Sequence, residues 1–278
     1  MTPRIAVTGS TGHVGGEVAR LLSHAGHEQQ LVVRDPARAP ILPGASIASA
    51  DYSNRARAVD ALRGSEILFM VSGAEAENRV DQHRTFLDAA AEAGVQHVIY
   101  TSFLAAAPDA TFTLGRDHWA TEEHIRNSGM SYTLLRDNFY LDVLPLFAGD
   151  EGVLRGPAGN GRVAAVARAD VARAAVVVLQ DPHAHVGRTY DLTGPEALSL
   201  GEAAAVITRV TGRETRYEEE TVEEAYASRA HYGVPAWQLD AWVSTYTAIA
   251  SGQLERTTTA VQDLTGTAPL NLEALLRR

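Results

Sequence analysis

Three glycines at a strand-to-helix junction constrain this chain more than any other feature. Residues 5–16 read Ile-Ala-Val-Thr-Gly-Ser-Thr-Gly-His-Val-Gly-Gly, an apolar β-rich run followed at once by a helical period. Gly9, Gly12 and Gly15 stand three apart across that junction. In a βαβ unit this spacing permits a tight turn, close approach of backbone to a pyrophosphate, and helix-on-strand packing. The N–H groups from Thr11 through Gly12 and His13 to Val14, together with the helix dipole, then form an anion site, with Ser10 in the same loop. The alternative is a glycine-rich turn that binds nothing.

The rest of the first half repeats the strand–helix rhythm. Strands are expected at Arg4–Thr8, Gln30–Arg34, Ser46–Ala50, Ile67–Ser72, His97–Ser102 and Tyr132–Arg136. Helices are expected at His13–Ala25, Arg55–Leu62 (capped by Ser53), Arg79–Ala93 (stopped by Gly94) and Asp117–Ser128. The alternation predicts an α/β fold, a doubly wound parallel Rossmann sheet with its ligand crevice at the carboxyl ends of the strands. Beyond residue 150 a glycine-rich passage leads into a mostly helical remainder. The expected division is a nucleotide-binding domain over 1–150, with some later segments returning to it, and a smaller capping lobe over 151–278.

Strand ends nominate the contacts of a dinucleotide. An Asp or Glu closing the second strand holds the ribose hydroxyls of NAD, whereas a guanidinium pairs with the 2′-phosphate of NADP. Here that strand closes on Arg34, with Arg38 beyond, so NADP(H) is the expected cofactor. Asp35 complicates this, because it could turn inward to the hydroxyl. Asp51-Tyr52 closes the third strand; the pair either flanks an adenine or, for Asp51, prepares the next helix. Ser72-Gly73 and Thr101-Ser102-Phe103 end the next two strands and are placed by topology beside ribose and nicotinamide.

Composition excludes several chemistries. All 24 basic residues are Arg, so the Tyr–Lys dyad of many reductases on this fold cannot exist here. There is no Cys, which removes disulfide, thiolate and Cys-metal chemistry and fits a reducing compartment. A net charge of −10 argues against nucleic acid as a partner. No apolar run approaches the ~20 residues of a membrane span, no membrane partner is expected, and no leader is read at the start. A cytoplasmic location follows as the expectation.

Candidate proton donors are few. His118 and Glu122 share one helix face and are either a crevice pair or a surface contact. Asn138 and Tyr140 follow the sixth strand; Asn138 could bond substrate or carboxamide, and Tyr140 is the phenol best placed as an acid, with core packing as the alternative for Phe139 and Tyr140. No metal site is expected: His118 and His124 do not share a face, and His183-Ala184-His185 lies in a Pro-containing loop.

These residues resemble the NmrA-like branch of the atypical short-chain dehydrogenases, which includes triphenylmethane dye reductase and type 2 quinone oxidoreductases. The matching stretches are Val7–Gly15, Val33-Arg34, Asp51-Tyr52, Val95–Ser102, Tyr190–Gly194 and Gly233–Pro235, and more specifically His118–Glu122 and Tyr132–Tyr140. The resemblance implies NADP(H) bound by the Gly9–Gly15 loop, Arg34 and the loops after Ser72 and Ser102, with a quinone or dye as hydride acceptor. Several family members carry Lys after the Thr-Glu pair, where this chain has Glu123. The expected function is an NADPH-dependent reductase of a conjugated small molecule. A non-catalytic NADP(H) sensor and a ketone or imine reductase are the alternatives, and a homodimer is left open.

Overall fold

The computed structural model describes residues 4–278. In chain order the elements are β1 (Ile5–Thr8), α1 (His13–His24), β2 (Gln29–Val33), β3 (Ala45–Ser49), α2 (Arg55–Leu62), β4 (Ile67–Met70), α3 (Arg79–Glu92), β5 (His97–Phe103), α4 (Thr113–Arg126) and β6 (Ser131–Asp137). There follow α5 (Leu144–Phe147), β7 (Val153–Gly156), β8 (Arg162–Val163), α6 (Arg168–Gln180), β9 (Arg188–Leu192), β10 (Leu198–Ser199), α7 (Leu200–Thr211) and β11 (Arg216–Glu219). Four helices complete the chain: α8 (Val222–Arg229), α9 (Ala236–Ala250), α10 (Ala260–Thr265) and α11 (Leu272–Leu276).

A seven-stranded sheet in the order β3-β2-β1-β4-β5-β6-β9 is the expected Rossmann sheet. β1 pairs in parallel with β2 and β4, β2 with β3, and β4 with β5. Strands β1, β2, β4 and β5 are buried at every residue, which is why each reads as an unbroken run without polar alternation. From β1 the chain builds outward through β2 and β3, then returns to place β4 on the opposite side. That reversal makes the β1/β4 boundary the switch point at which such sheets bind ligands.

By contact the chain forms two compact units. The first comprises 4–102, 117–136 and 171–190, and its core gathers Leu68, Met70, Phe86, Leu87, Val98, Tyr100, Ile125 and Leu134. The second comprises 103–116, 137–170 and 191–278, with Phe103, Phe112, Leu141, Leu154, Leu200, Ile207, Ile249 and Leu272 in its core. Residues 103–116 and 137–150, within the 1–150 range expected for the first domain, fall in the second unit, and 171–190 fall in the first. Among the described residues no helix is long and apolar enough to cross a membrane.

Local differences from the sequence reading have local causes. Helix α2 is capped by Asn54, whose Oδ1 accepts from Arg57 N–H, while the Ser53 hydroxyl donates to Asp51 instead. β4 ends at Met70 and not Ser72, because the next backbone groups bond to side chains. Helix α4 begins one turn ahead of Asp117, at Thr113. The glycine-rich passage holds two short strands: a Cβ on Gly156 would lie 2.4 Å from the Tyr246 ring, and one on Gly161 2.3 Å from the Ile249 carbonyl oxygen.

The turn between β1 and α1 is the tightest point of the first unit. A Cβ on Gly15 would sit 2.5 Å from the Gly9 carbonyl and 2.6 Å from the Thr8 oxygen, so backbone lies where any other residue needs space. Forcing a methyl into such a contact costs about 1–3 kcal/mol. Gly15→Ala is therefore expected to lose about 3 kcal/mol of unfolding free energy in urea titration; a midpoint equal to the parent's would show that the turn yields.

Candidate active site

At the switch point lies a cavity of ≈ 480 Å³, within the usual range for small-molecule sites. Its lining includes Thr8, Gly9 and Thr11 from the glycine turn, Val33 and Arg34 after β2, Asp51 and Tyr52 after β3, and residues 71–76 after β4. Seven sequence candidates thus meet here: Gly9, Thr11, Arg34, Asp51, Tyr52, Ser72 and Gly73. Val71, Ala74, Glu75 and Gln82 also line it. Those four carry no distinctive chemistry, and only the topology could have pointed to them.

The glycine turn is shaped for an anion. Gly9 has φ +66° and faces Val71, where a Cβ would approach to 2.9 Å. Gly12 is the N-cap of α1 and has no side chain to bond the first helical N–H groups. That leaves the donors of His13 and Val14 uncapped at the positive end of the dipole. The Gly12 N–H, expected among the anion donors, instead closes the turn on the Gly9 oxygen at 2.9 Å. Ser10 is 3% exposed and its Oγ has no hydrogen-bond partner. An uncapped helix, an orphaned hydroxyl and a floor without side chains fit the pyrophosphate of a dinucleotide.

The opposite wall is held by side chains. Thr8 Oγ1 accepts from Val71 N–H at 2.9 Å, and Tyr52 OH donates to the Val71 carbonyl. Thr101 Oγ1 accepts from Ser72 N–H at 2.8 Å. His83 Nε2 accepts from Gly73 N–H at 2.8 Å, and Arg79 Nε donates to the Gly73 carbonyl at 2.9 Å. Thr101 is thus behind the wall, and Arg79 and His83 were not legible as site residues. Their spacing of four at the start of α3 was the available signal.

At the adenosine end, Arg34 lines the cavity, while Asp35 accepts from Ala37 N–H at 3.0 Å and caps the turn over Pro36–Arg38. The carboxylate that competed for the ribose is therefore engaged in the backbone. Asp51 accepts from the Ser53 hydroxyl, Ser53 N–H and Asn54 N–H, bonds led by the hydroxyl that hold its carboxyl below the usual range. It prepares α2 as well as lining the cavity. The Tyr52 ring lies 4.4 Å from that of Phe86, centroid to centroid.

Each residue read as catalytic is internally committed. Arg79 Nη2 lies 3.1 Å from His118 Nε2; because a guanidinium only donates, that nitrogen accepts, and Nδ1–H faces Tyr100 OH at 3.0 Å. Burial first, and the Arg79 charge second, hold His118 well below its usual pKa. Glu122, fully buried, is the anchor of an ion cluster: Arg136 grips it with two N–H groups at 2.7 and 2.6 Å, Arg126 adds one at 2.9 Å, and the Ser102 hydroxyl donates at 2.6 Å. The expected His118–Glu122 pair gives way to these guanidinium contacts, and Ser102 faces Glu122, with no place in the cavity lining.

In the second unit, Asn138 donates to the Ala164 and Leu254 carbonyls at 3.1 and 2.9 Å and accepts from Phe139 N–H. It is a backbone staple. Tyr140 OH donates to Asp137, and burial raises its pKa well above 10, the reverse of what an acid requires. Phe103 packs with Phe112 and Phe139 at 4.9 and 5.1 Å.

Buried histidines make stability pH-dependent. Desolvation pushes His83 down to about 3 and His97 to about 4, with His118 lowered too. Unfolded, each titrates near 6.5. Below that value the unfolded chain binds protons that the folded chain refuses, so stability is full above pH 6.5 and falls as pH drops. Each histidine contributes about 1.4 kcal/mol per pH unit. Asp137, pushed up to about 7 by burial, acts in the opposite sense and offsets about one of the three. Urea unfolding is expected to weaken steadily from pH 6.5 to 5, with a shallower slope for His97→Gln. Equal slopes for parent and variant would remove His97 from this balance.

Comparison with known proteins agrees with the geometry. Over 238 residues the chain is 36% identical to quinone oxidoreductase 2 of Escherichia coli (strain K12), covering 83% of this chain and 82% of that protein. The solved NADPH complex of the NADPH-dependent quinone oxidoreductase from Escherichia coli superposes with a TM-score of 0.88 at 32% identity, covering 98% of each chain. Triphenylmethane reductase of Citrobacter sp., solved with NADP(H), gives a TM-score of 0.86 at 29% identity, covering 98% of this chain and 99% of that one. The model of the NmrA-like family matches residues 1–258, and the chain belongs to that family.

Proposed function

We propose that this protein is an NADPH-dependent reductase that delivers hydride to a quinone or a similarly conjugated acceptor. The observation that carries the reading is the switch-point cavity, with the uncapped end of α1 and the orphaned Ser10 hydroxyl beside it, and with Arg34 at its rim while Asp35 is turned into a cap. In this reading the Gly9–Val14 turn holds the pyrophosphate and Arg34 the 2′-phosphate. Asp51 and Tyr52 border the adenosine, and Ser72 and Gly73 face the ribose towards the nicotinamide, with Thr101 behind them. Bound NADPH supplies the hydride; the chain supplies orientation and a fixed wall.

The choice of acceptor rests on proton chemistry. Carbonyl reduction generates an alkoxide and benefits from a positioned acid. This chain has no Lys, and the protons of His118, Asn138 and Tyr140 are engaged in internal hydrogen bonds. A quinone becomes a stabilised hydroquinone anion that takes its proton from water, and a cationic dye becomes neutral on accepting hydride. Both acceptor types, named for relatives of this chain, tolerate such a site. A cytoplasmic setting, where NADPH is maintained, completes the reading.

Stopped-flow mixing of the protein and NADPH with quinones, cationic dyes and ketones tests it. Quinones or dyes are expected to oxidise NADPH and ketones to be inert. Tight NADPH binding with no oxidation by any acceptor would assign the protein to redox sensing instead. Charge-assisted bonds to a phosphate are worth about 1.5–3 kcal/mol, so Arg34→Asp is expected to weaken NADPH binding roughly a hundredfold in calorimetry and leave NADH within a few-fold. Equal losses for both would remove the 2′-phosphate role.

A further inference from the structure

Beyond β4 the chain leaves the sheet, and its amide groups lose strand partners exactly where it walls the cavity. At Gly73 both are satisfied by α3. Arg79 and His83, one turn apart on the same face, take the carbonyl and the N–H respectively. Both side chains are buried, and neither faces the cavity.

The histidine's role is fixed by hydrogen-bond logic. A backbone N–H can only donate, so Nε2 carries the lone pair. On the other side of the ring, Nδ1 lies 2.9 Å from Thr121 Oγ1, and that hydroxyl already donates to the Asp117 carbonyl at 2.8 Å. The remaining hydroxyl lone pairs require that Nδ1 bear the proton. The neutral Nδ1–H tautomer is thereby locked between α4 and the loop. Arg79 adds a second tie to α4 through Asp117, at 3.5 Å. Glycine at 73 is part of the device, because a Cβ there would press to 3.1 Å from Nε2 and 3.5 Å from the Tyr52 ring.

We infer that His83 is a positioning residue for the dinucleotide: through Gly73 it sets the wall against which the cofactor lies, and Arg79 holds the same residue from the carbonyl side. This rests on the function proposed above. The two nitrogens do different work, so two amide substitutions separate them. In His83→Gln the side-chain oxygen reaches the place of Nε2 and still accepts from Gly73. In His83→Asn the shorter amide reaches only Thr121, leaving the Gly73 amide unpaired.

Calorimetric NADPH binding and thermal melting, measured on parent and both variants, test the inference. Both variants are expected to lose Tm, because each loses ring packing. Only His83→Asn is expected to weaken NADPH, about tenfold, which corresponds to about 1.4 kcal/mol. His83→Gln is expected to bind NADPH within two- to threefold of the parent. Equal NADPH dissociation constants for the two variants would overturn the inference while leaving the proposed function intact. A parent that takes up no NADPH would overturn both. If His83→Asn does not fold, Gly73→Ala carries the same test: its methyl displaces the ring, and an unchanged affinity for NADPH would refute the positioning role.

Discussion

The first unit depends on α1 approaching its own strand more closely than any side chain would allow. Gly15 stands against Gly9 with backbone where a Cβ would need to be, and Gly9 in turn faces Val71. Two consequences follow from this contact. The positive end of the helix dipole is carried to the rim of the sheet, and the floor beneath it consists of peptide groups alone. An anion arriving there meets N–H donors instead of methyl groups. The Ser10 hydroxyl, buried in the same turn without a hydrogen-bond partner, fits the same account.

The facing wall solves a different problem. Leaving a sheet exposes peptide groups that burial makes costly, about 1–3 kcal/mol for each left unpaired. Between Val71 and Gly73 the partners are side chains from β1, β5, α3 and the loop after β3, so one short segment is fixed by four elements at once. A buried guanidinium at Arg79 is tolerated because its bonds are distributed over the Gly73 carbonyl, His118 and Asp117. Rigidity at the cavity is thereby obtained in part from Thr101, Arg79 and His83, polar groups outside its lining.

The pattern of legibility follows from these arrangements. The sheet, its switch point and the glycine turn were readable because they rest on local rules: apolar runs, helical period and glycine spacing. α2 matches its expected range, and the expectation for β4 overshoots by the two residues where backbone pairing passes to side chains. Candidates named from strand ends were found at the cavity when the backbone itself lines it, as at Gly9, Ser72 and Gly73. Those named as proton donors fared differently. His118 and Asn138 have the right residue types, but their partners lie on other elements, out of reach of any local pattern; Ser102, placed by topology, is likewise taken by Glu122. Glu122 needs Arg136, fourteen residues on, and Asn138 needs Leu254, 116 residues on. The roles of Arg79 and His83 likewise depend on partners outside α3, at Gly73 and Thr121.

The commitment of the candidate acids narrows the chemistry further than the missing lysine does. A dyad can be absent and its task taken by another group, provided that group has an exchangeable proton and a pKa near the working pH. In the first unit His118 is neutral and held between a guanidinium and a phenol. In the second, Tyr140 donates to Asp137 and is displaced in the wrong direction, while the Asn138 amide is fixed to backbone. Proton delivery through any of these would require breaking a buried hydrogen bond in the transition state, adding barrier where a general acid should remove it. Acceptors whose reduced form is already stabilised by delocalisation avoid that cost. The internal hydrogen bonding of the fold therefore selects among acceptors by what it withholds from them.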